Sequence, residues 1–198
     1  LAEKGKKVLA VDMDPQGNLT SGLGVDKDSV EKSIYELIIG EVDIKEVINK
    51  EVLENLDIIP TSIDLSAAEI ELIGVDDKEY ILRNATSVLV PIQCEYYALE
   101  GLSQLIHTVE LVKDRLNSKL EIEGVVFTMY DARTNLSLQV VENVKDNLQQ
   151  NIYKTIIPRN IRLAEAPSYG LPINKYDPKS TGAESYMRLA DEVIEREE

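Results

Sequence analysis

One cysteine, one histidine, one phenylalanine and no tryptophan occur in the 198 residues, and each scarcity excludes something. Cys94 alone cannot form an internal disulfide, which fits a reducing cytoplasm. Cys94 and His107 cannot by themselves complete a structural zinc site. His107 lies on a segment of helical spacing, an ordinary surface or packing position, and no nucleophile motif supports a Ser-His-Asp arrangement. Aromatic residues make up 5% of the chain, so no ladder for stacking bases is evident. Tyr96, Tyr97, Leu99 and Leu102 read as core or interface packing instead. No apolar run approaches the ~20 residues of a membrane span, and no signal-peptide pattern is visible.

Acidic side chains, by contrast, are abundant. The net charge of −15 argues against nonspecific nucleic-acid binding by the chain as a whole. The distribution is uneven. Residues 1–80 carry 19 acidic and 8 basic side chains, a local charge of −11; residues 125–188 carry 6 and 8, a local charge of +2. The later segment is where a phosphate backbone could settle, although a difference of this size also fits chance variation.

A length of 198 residues suggests one domain, and 43% hydrophobic residues predict a packed core. Val8–Val11, Leu56–Ile59, Ser87–Pro91 and Gly124–Thr128 read as short buried strands, with Ile152–Ile157 a weaker fifth. Between and around them, Ser29–Ile39, Ile44–Val52, Leu65–Ile73, Gly101–Leu116, Leu138–Leu148 and Ala183–Glu198 have helical spacing. Strands alternating with helices predict an α/β fold, with right-handed crossovers and a mainly parallel sheet covered on both faces.

The first strand leads into Val8-Leu-Ala-Val-Asp-Met-Asp-Pro-Gln-Gly-Asn18. In an open parallel sheet, ligands bind just beyond the carboxyl ends of the strands. Asp12 and Asp14 at such a mouth suit a hydrated Mg²⁺ and an attacking water. Their two-residue spacing on a strand would point both to one face. A strand end closed by an Asx-type turn is the plainer alternative.

Longer strings resolve the choice. The segment just quoted resembles the first switch region, VDxDPQGN, of the ParA/Soj family of chromosome- and plasmid-partitioning ATPases. Pro91-Ile-Gln-Cys-Glu-Tyr-Tyr-Ala-Leu-Glu-Gly-Leu102 is similar to the family's PxQCEYYALEGL, and Thr128-Met-Tyr-Asp-Ala-Arg-Thr-Asn135 to its TMxDxRTN. Ile157-Pro-Arg-Asn-Ile-Arg-Leu-Ala-Glu-Ala-Pro-Ser168 is similar to IPRNxRLxEAPS, and Tyr176-Asp-Pro-Lys-Ser180 with Gly182-Ala-Glu184 to YDPxSxGAE. The segments occur in family order across nearly the whole chain, and the Soj branch is the nearest match.

Two family segments have no counterpart. The phosphate loop KGGVGKTT is expected upstream of Leu1, before a first helix whose tail is Leu1–Gly5. A strand ending in IDCPPS, with its aspartate near the metal, and the helix after it are also absent. Arg83 runs directly through Asn84-Ala-Thr86 into the Ser87 strand. An internal deletion near 84–86 would amount to about two dozen residues, the length of one strand, one helix and their connections. Losing a central strand would disrupt sheet order and expose apolar surface.

The resemblance implies a P-loop NTPase-like (Rossmann-like) α/β fold, incomplete in this chain, with ATP and Mg²⁺ as cofactors. It implies Asp14 as the residue that positions the hydrolytic water and Asp12 as support for Mg²⁺ through its water shell. Pro158 and Arg159 stand where the family's adenine-contacting loop lies, and Thr128 and Met129 border the same pocket. Arg133 and Arg162 match arginines on the DNA-binding face, where they would grip phosphate without reading bases. The implied partners are nonspecific nucleoid DNA, a ParB-type centromere-binding protein and, with ATP, a second copy of the chain; the implied location is the cytoplasm, on the nucleoid. MinD-type proteins of the same fold instead end in a basic amphipathic helix that grips lipid. Glu195, Glu197 and Glu198 would repel such a surface. Three readings follow: a partitioning ATPase, a non-hydrolysing paralogue that keeps the DNA or partner surface, and a decayed fragment.

Overall fold

β1 (Val8–Val11), β2 (Asn49–Leu53) and β3 (Leu56–Ile59) form one sheet in the order β1-β3-β2. β1 and β3 are parallel, with Val8 opposite Leu56 and Val11 opposite Ile59; β2 is antiparallel to β3. These strands belong to the computed structural model, which describes residues 1–14, 16–62, 64, 65, 85–95, 98–147 and 151–197. The chain divides into two compact units, Leu1–Asp76 with Ile161–Ala183 and Asp77–Asn160 with Glu184–Glu198.

In the first unit, α1 (Asn18–Gly22), α2 (Ile34–Ile38) and α3 (Ile44–Val47) are short. A capping box starts α2: the Ser33 side chain accepts from Tyr35 N–H, while Glu36 accepts from Ser33 N–H. That box fixes the helix start at Ile34, so the helix expected from Ser29 begins a turn later. Asp43 and Glu46 repeat the device on α3. The helix expected over Ile44–Val52 is a correction. It stops at Val47 and the chain enters β2, because Ile48 and Val52 pack equally well on a pleated sheet. Asn55, with φ 61°, makes the hairpin turn back into β3. Ile34, Val47, Ile59 and Leu65 form the buried cluster of this unit. Leu9 and Val11 of β1 remain 45% and 37% exposed.

In the second unit, β4 (Ser87–Gln93) and β5 (Glu121–Thr128) are parallel, from Ser87 opposite Glu121 to Gln93 opposite Thr128. α4 (Ala98–Arg115) contributes Leu102, and α5 (Asn135–Asn147) contributes Val140 and Val144, to a core with Val90, Ile92, Cys94, Val125 and Phe127. Burying a side chain the size of Phe127 contributes roughly 1.5–3 kcal/mol. The weak fifth strand is present as two parallel bridges, Val125 with Ile152 and Tyr130 with Pro158. Gly124 makes room there: a Cβ on it would lie 2.7 Å from the Tyr153 ring.

The chain then returns to the first unit with α6 (Ile161–Glu165) and α7 (Ile173–Tyr176). α8 (Thr181–Glu197) starts there and continues in the second. Strand direction is as the sequence predicts, with β1 beside β3 and β4 beside β5 both parallel. Among the described residues these strands make two sheets rather than one. The helix expected at Leu65–Ile73 lies, beyond Leu65, outside the described residues, as do Pro15, Lys78–Arg83, Tyr96 and Tyr97. Among the described residues, no helix is long and apolar enough to cross a membrane.

Candidate functional site

Asp12 and Asp14 do not share a face. β1 ends at Val11, so the strand alternation stops before them. Asp12 is 2% exposed and turns inward. Its Oδ2 accepts from Thr20 N–H at 2.7 Å and Thr20 Oγ1 at 2.6 Å; its Oδ1 accepts from Asp14 N–H at 3.2 Å. Asp14 is exposed, and its carboxylate accepts from Gln16 N–H at 2.9 Å and Asn18 Nδ2 at 3.1 Å. Gly17 makes the turn possible. Its φ is 64°, and a Cβ there would come within 2.9 Å of Thr61 Cγ2.

This geometry gives each carboxylate a distinct capability. Asp12 holds the start of α1 against the end of β1 and meets a cation only through water or by surrendering a bond. Asp14 offers an exposed carboxylate at the carboxyl edge of the strand. Among the described residues, no group of three or more His, Cys, Asp or Glu side chains gathers as a metal site. The 198 residues also contain no G-x-x-x-x-G-K-[ST] loop to cradle phosphates. Asp12 and Asp14 could therefore supply the carboxylate part of a Mg²⁺-nucleotide site, with the phosphate cradle not among these residues.

The four residues expected at the nucleobase do converge, in the second unit. Thr128 ends β5, its Oγ1 donating to Ile92 C=O at 3.1 Å. Met129 follows in the left-handed region, φ 54°, a conformation rare for a side chain of this kind. Tyr130 bridges Pro158, and Arg159 N–H donates to Tyr130 C=O at 2.9 Å. Thr128, Met129, Pro158 and Arg159 thus border one corner at the carboxyl end of β5. Glu95, which sequence reasoning passed over, faces Arg159 at 3.8 Å. It lies in the PxQCEYYALEGL-like segment, and only that motif pointed to it. A groove of about 380 Å³ nearby, lined by Ile92, Gln93, Glu95, Gly101, Leu102 and Leu105 among others, includes none of the four.

Arg133 and Arg162 lie in different units, and both are held by carboxylates. Arg133 donates from Nε to Asp131 Oδ1 at 2.8 Å and from Nη2 to Asp131 Oδ2 at 2.6 Å. These bonds hold the Asp131 carboxyl well below the usual carboxylate range. Arg162, on α6, donates from Nη1 to Glu165 Oε2 at 2.9 Å and lies 3.5 Å from Asp177. Tyr176 also donates to Glu165, at 3.1 Å, and stacks on Tyr169. The bond to Glu165 raises the Arg162 pKa further. Neither pairing was visible in the sequence.

Comparison with known proteins follows the same lines. A family model described as an AAA domain matches residues 1–86 and 82–122. The sporulation initiation inhibitor protein Soj of Bacillus subtilis is 48% identical over 223 aligned positions, covering 98% of this chain and 88% of that protein. The chromosome partitioning protein ParA of Myxococcus xanthus is 42% identical, covering 100% of this chain and 80% of that protein. Among solved structures, cobyrinic acid a,c-diamide synthase of Mycobacterium smegmatis with bound ADP and magnesium superposes with a TM-score of 0.77 at 29% identity. It covers 97% of this chain and 83% of that one.

Proposed function

The chain belongs to the ParA/Soj family of chromosome-partitioning ATPases, and on that premise we propose that it serves DNA partitioning as a nonspecific DNA-binding protein. Arg133 and Arg162 supply phosphate contacts, and Thr128, Met129, Pro158 and Arg159 form the nucleobase rest. The observation that carries this reading is the arrangement of the second unit. The residues assigned to nucleotide converge at the end of β5, and Arg133 follows Met129 by one short turn. Nucleoid DNA, a ParB-type centromere-binding protein and a second copy of the chain are the partners the reading assigns, with the cytoplasmic nucleoid as the location.

Asp14 is assigned to positioning water and Asp12 to supporting Mg²⁺ at one remove, as the scaffold under the Asp14 turn. ATP hydrolysis itself requires a backbone N–H cradle and a lysine on the β- and γ-phosphates. Neither is found in these 198 residues, so hydrolysis is assigned to a chain that carries such a loop, and a non-hydrolysing form that keeps the DNA surface is the alternative. An internal deletion near 84–86 favours that alternative. In its support, the family model matches in two pieces that meet at 82–86, and 223 positions align against a chain of 198 residues.

Fluorescence anisotropy with labelled duplexes of two unrelated sequences tests the reading. Equal binding to both, weakening with salt, is the expected result. Selective binding, or none at low ionic strength, rejects it.

A further inference from the structure

Arg133, assigned to the DNA surface, is engaged by Asp131 through two side-chain bonds. The Arg133 side chain is 87% exposed, as a phosphate-binding arginine must be, yet its Nε and Nη2 both donate to one carboxylate. This is the fork-on-fork geometry by which arginine grips phosphate. Asp131 therefore occupies the edge of the guanidinium that a phosphate would take. The Asp131 side chain is only 15% exposed, and its main chain is held in the turn. Asp131 Oδ1 accepts from Arg133 N–H at 3.0 Å, Asp131 N–H donates to Ser137 Oγ at 3.3 Å, and Thr134 N–H donates to Asp131 C=O at 3.1 Å. The acid is built into the turn before α5, and the arginine side chain extends from it into solvent.

We propose that Asp131 is an internal competitor for phosphate, so that Arg133 grips DNA only by giving up or sharing this carboxylate. The inference rests on the assignment of Arg133 to the DNA surface. A phosphate approaching the Nε–Nη2 edge must displace Asp131. One approaching by Nη1, which makes neither of these bonds, still meets an aspartate charge a few ångströms away. Both routes lower affinity. Arg159 adds a second positive charge whose field reaches Asp131.

Asp131→Asn isolates the charge, because the amide oxygen still accepts from Arg133 N–H and preserves the turn. At low ionic strength, Asp131→Asn should bind nonspecific duplex roughly two- to fivefold more tightly, the range for releasing an exposed ion pair. The slope of log affinity against log salt should steepen by up to about 0.9 as the contact becomes complete. Adding Arg133→Ala should abolish that gain. A gain that persists without Arg133 is a net-charge effect and overturns the proposal. Weaker binding by Asp131→Asn, with Arg133→Ala also weak, overturns it too and makes Asp131 a positioning residue, leaving the DNA assignment intact. If Arg133→Ala changes nothing in either background, the DNA assignment falls, and the proposal with it.

Discussion

Thr20 donates both its backbone N–H and its hydroxyl to Asp12 Oδ2, at 2.7 and 2.6 Å, and its hydroxyl oxygen accepts from Thr61 N–H at 3.1 Å. Thr20 is completely buried and Asp12 nearly so. The ends of β1 and β3 and the start of α1 are tied together by this one network. Asp12→Ala leaves buried donors unpaired and should cost about 3 kcal/mol. Asp14→Ala removes only exposed turn bonds and should cost about 1 kcal/mol or less. Urea unfolding of the two variants checks the order; an Asp14 variant as unstable as the Asp12 variant would contradict it.

Cys94 gives the pH dependence. Burial pushes its thiol up from 9.0 to about 11, so the folded state retains a proton that the unfolded state loses. Its contribution to stability is full below pH 9 and falls as the pH rises from there to about 11. The unfolding midpoint of Cys94→Ala should decline less than that of the parent across this window. Parallel declines would show that other groups govern alkaline unfolding.

Arg196 anchors the end of α8. Its guanidinium lies 3.8 Å over the Tyr153 ring and donates to Ile152 C=O at 2.9 Å, while Glu192 accepts from Lys154 and Thr155 N–H. Tyr153 in turn donates to Glu123. Arg196→Ala should cost roughly 1–2 kcal/mol, combining a cation–π contact with a charged hydrogen bond. Arg196→Lys should recover part of that loss. Unfolding midpoints of both variants test it, and no loss in the alanine variant would rule out the anchor.

The 198-residue chain should show no turnover of Mg²⁺-ATP above background. Gly22-Leu-Gly24 and Gly101 are not followed by the Lys-Ser/Thr that a phosphate loop needs. Released phosphate is the readout, with Asp14→Ala as the control. Turnover that disappears in the control would overturn the non-hydrolysing reading.

The sequence made strand positions legible where apolar runs meet turn residues, as at Val8–Val11 and Leu56–Ile59. Helical spacing alone drew the start of α2 too early, because the Ser33–Glu36 capping pair that fixes it was not read from the sequence. β2 was illegible because Ile44–Val52 has apolar spacing that suits helix or strand, and only pairing with β3 decides between them. The convergence of Thr128, Met129, Pro158 and Arg159 followed from family motifs. The bond from Thr20 to Asp12 did not, since no local pattern links residues eight apart. Asp131 lay in plain view in Tyr130-Asp-Ala-Arg133, but a two-residue spacing in a turn does not reveal a bidentate pair.

Sequence-independent DNA binding is assigned to two arginines, one in each unit. Binding to nonspecific duplex should be titrated with salt for the parent chain and for Arg133→Ala/Arg162→Ala. Affinity should be modest throughout, given a net charge of −15. The double variant should lose about 0.9 from the salt slope for each contact removed, roughly 1.8 in all. Equal slopes in the two proteins, or tight binding by the double variant, would place the DNA surface elsewhere.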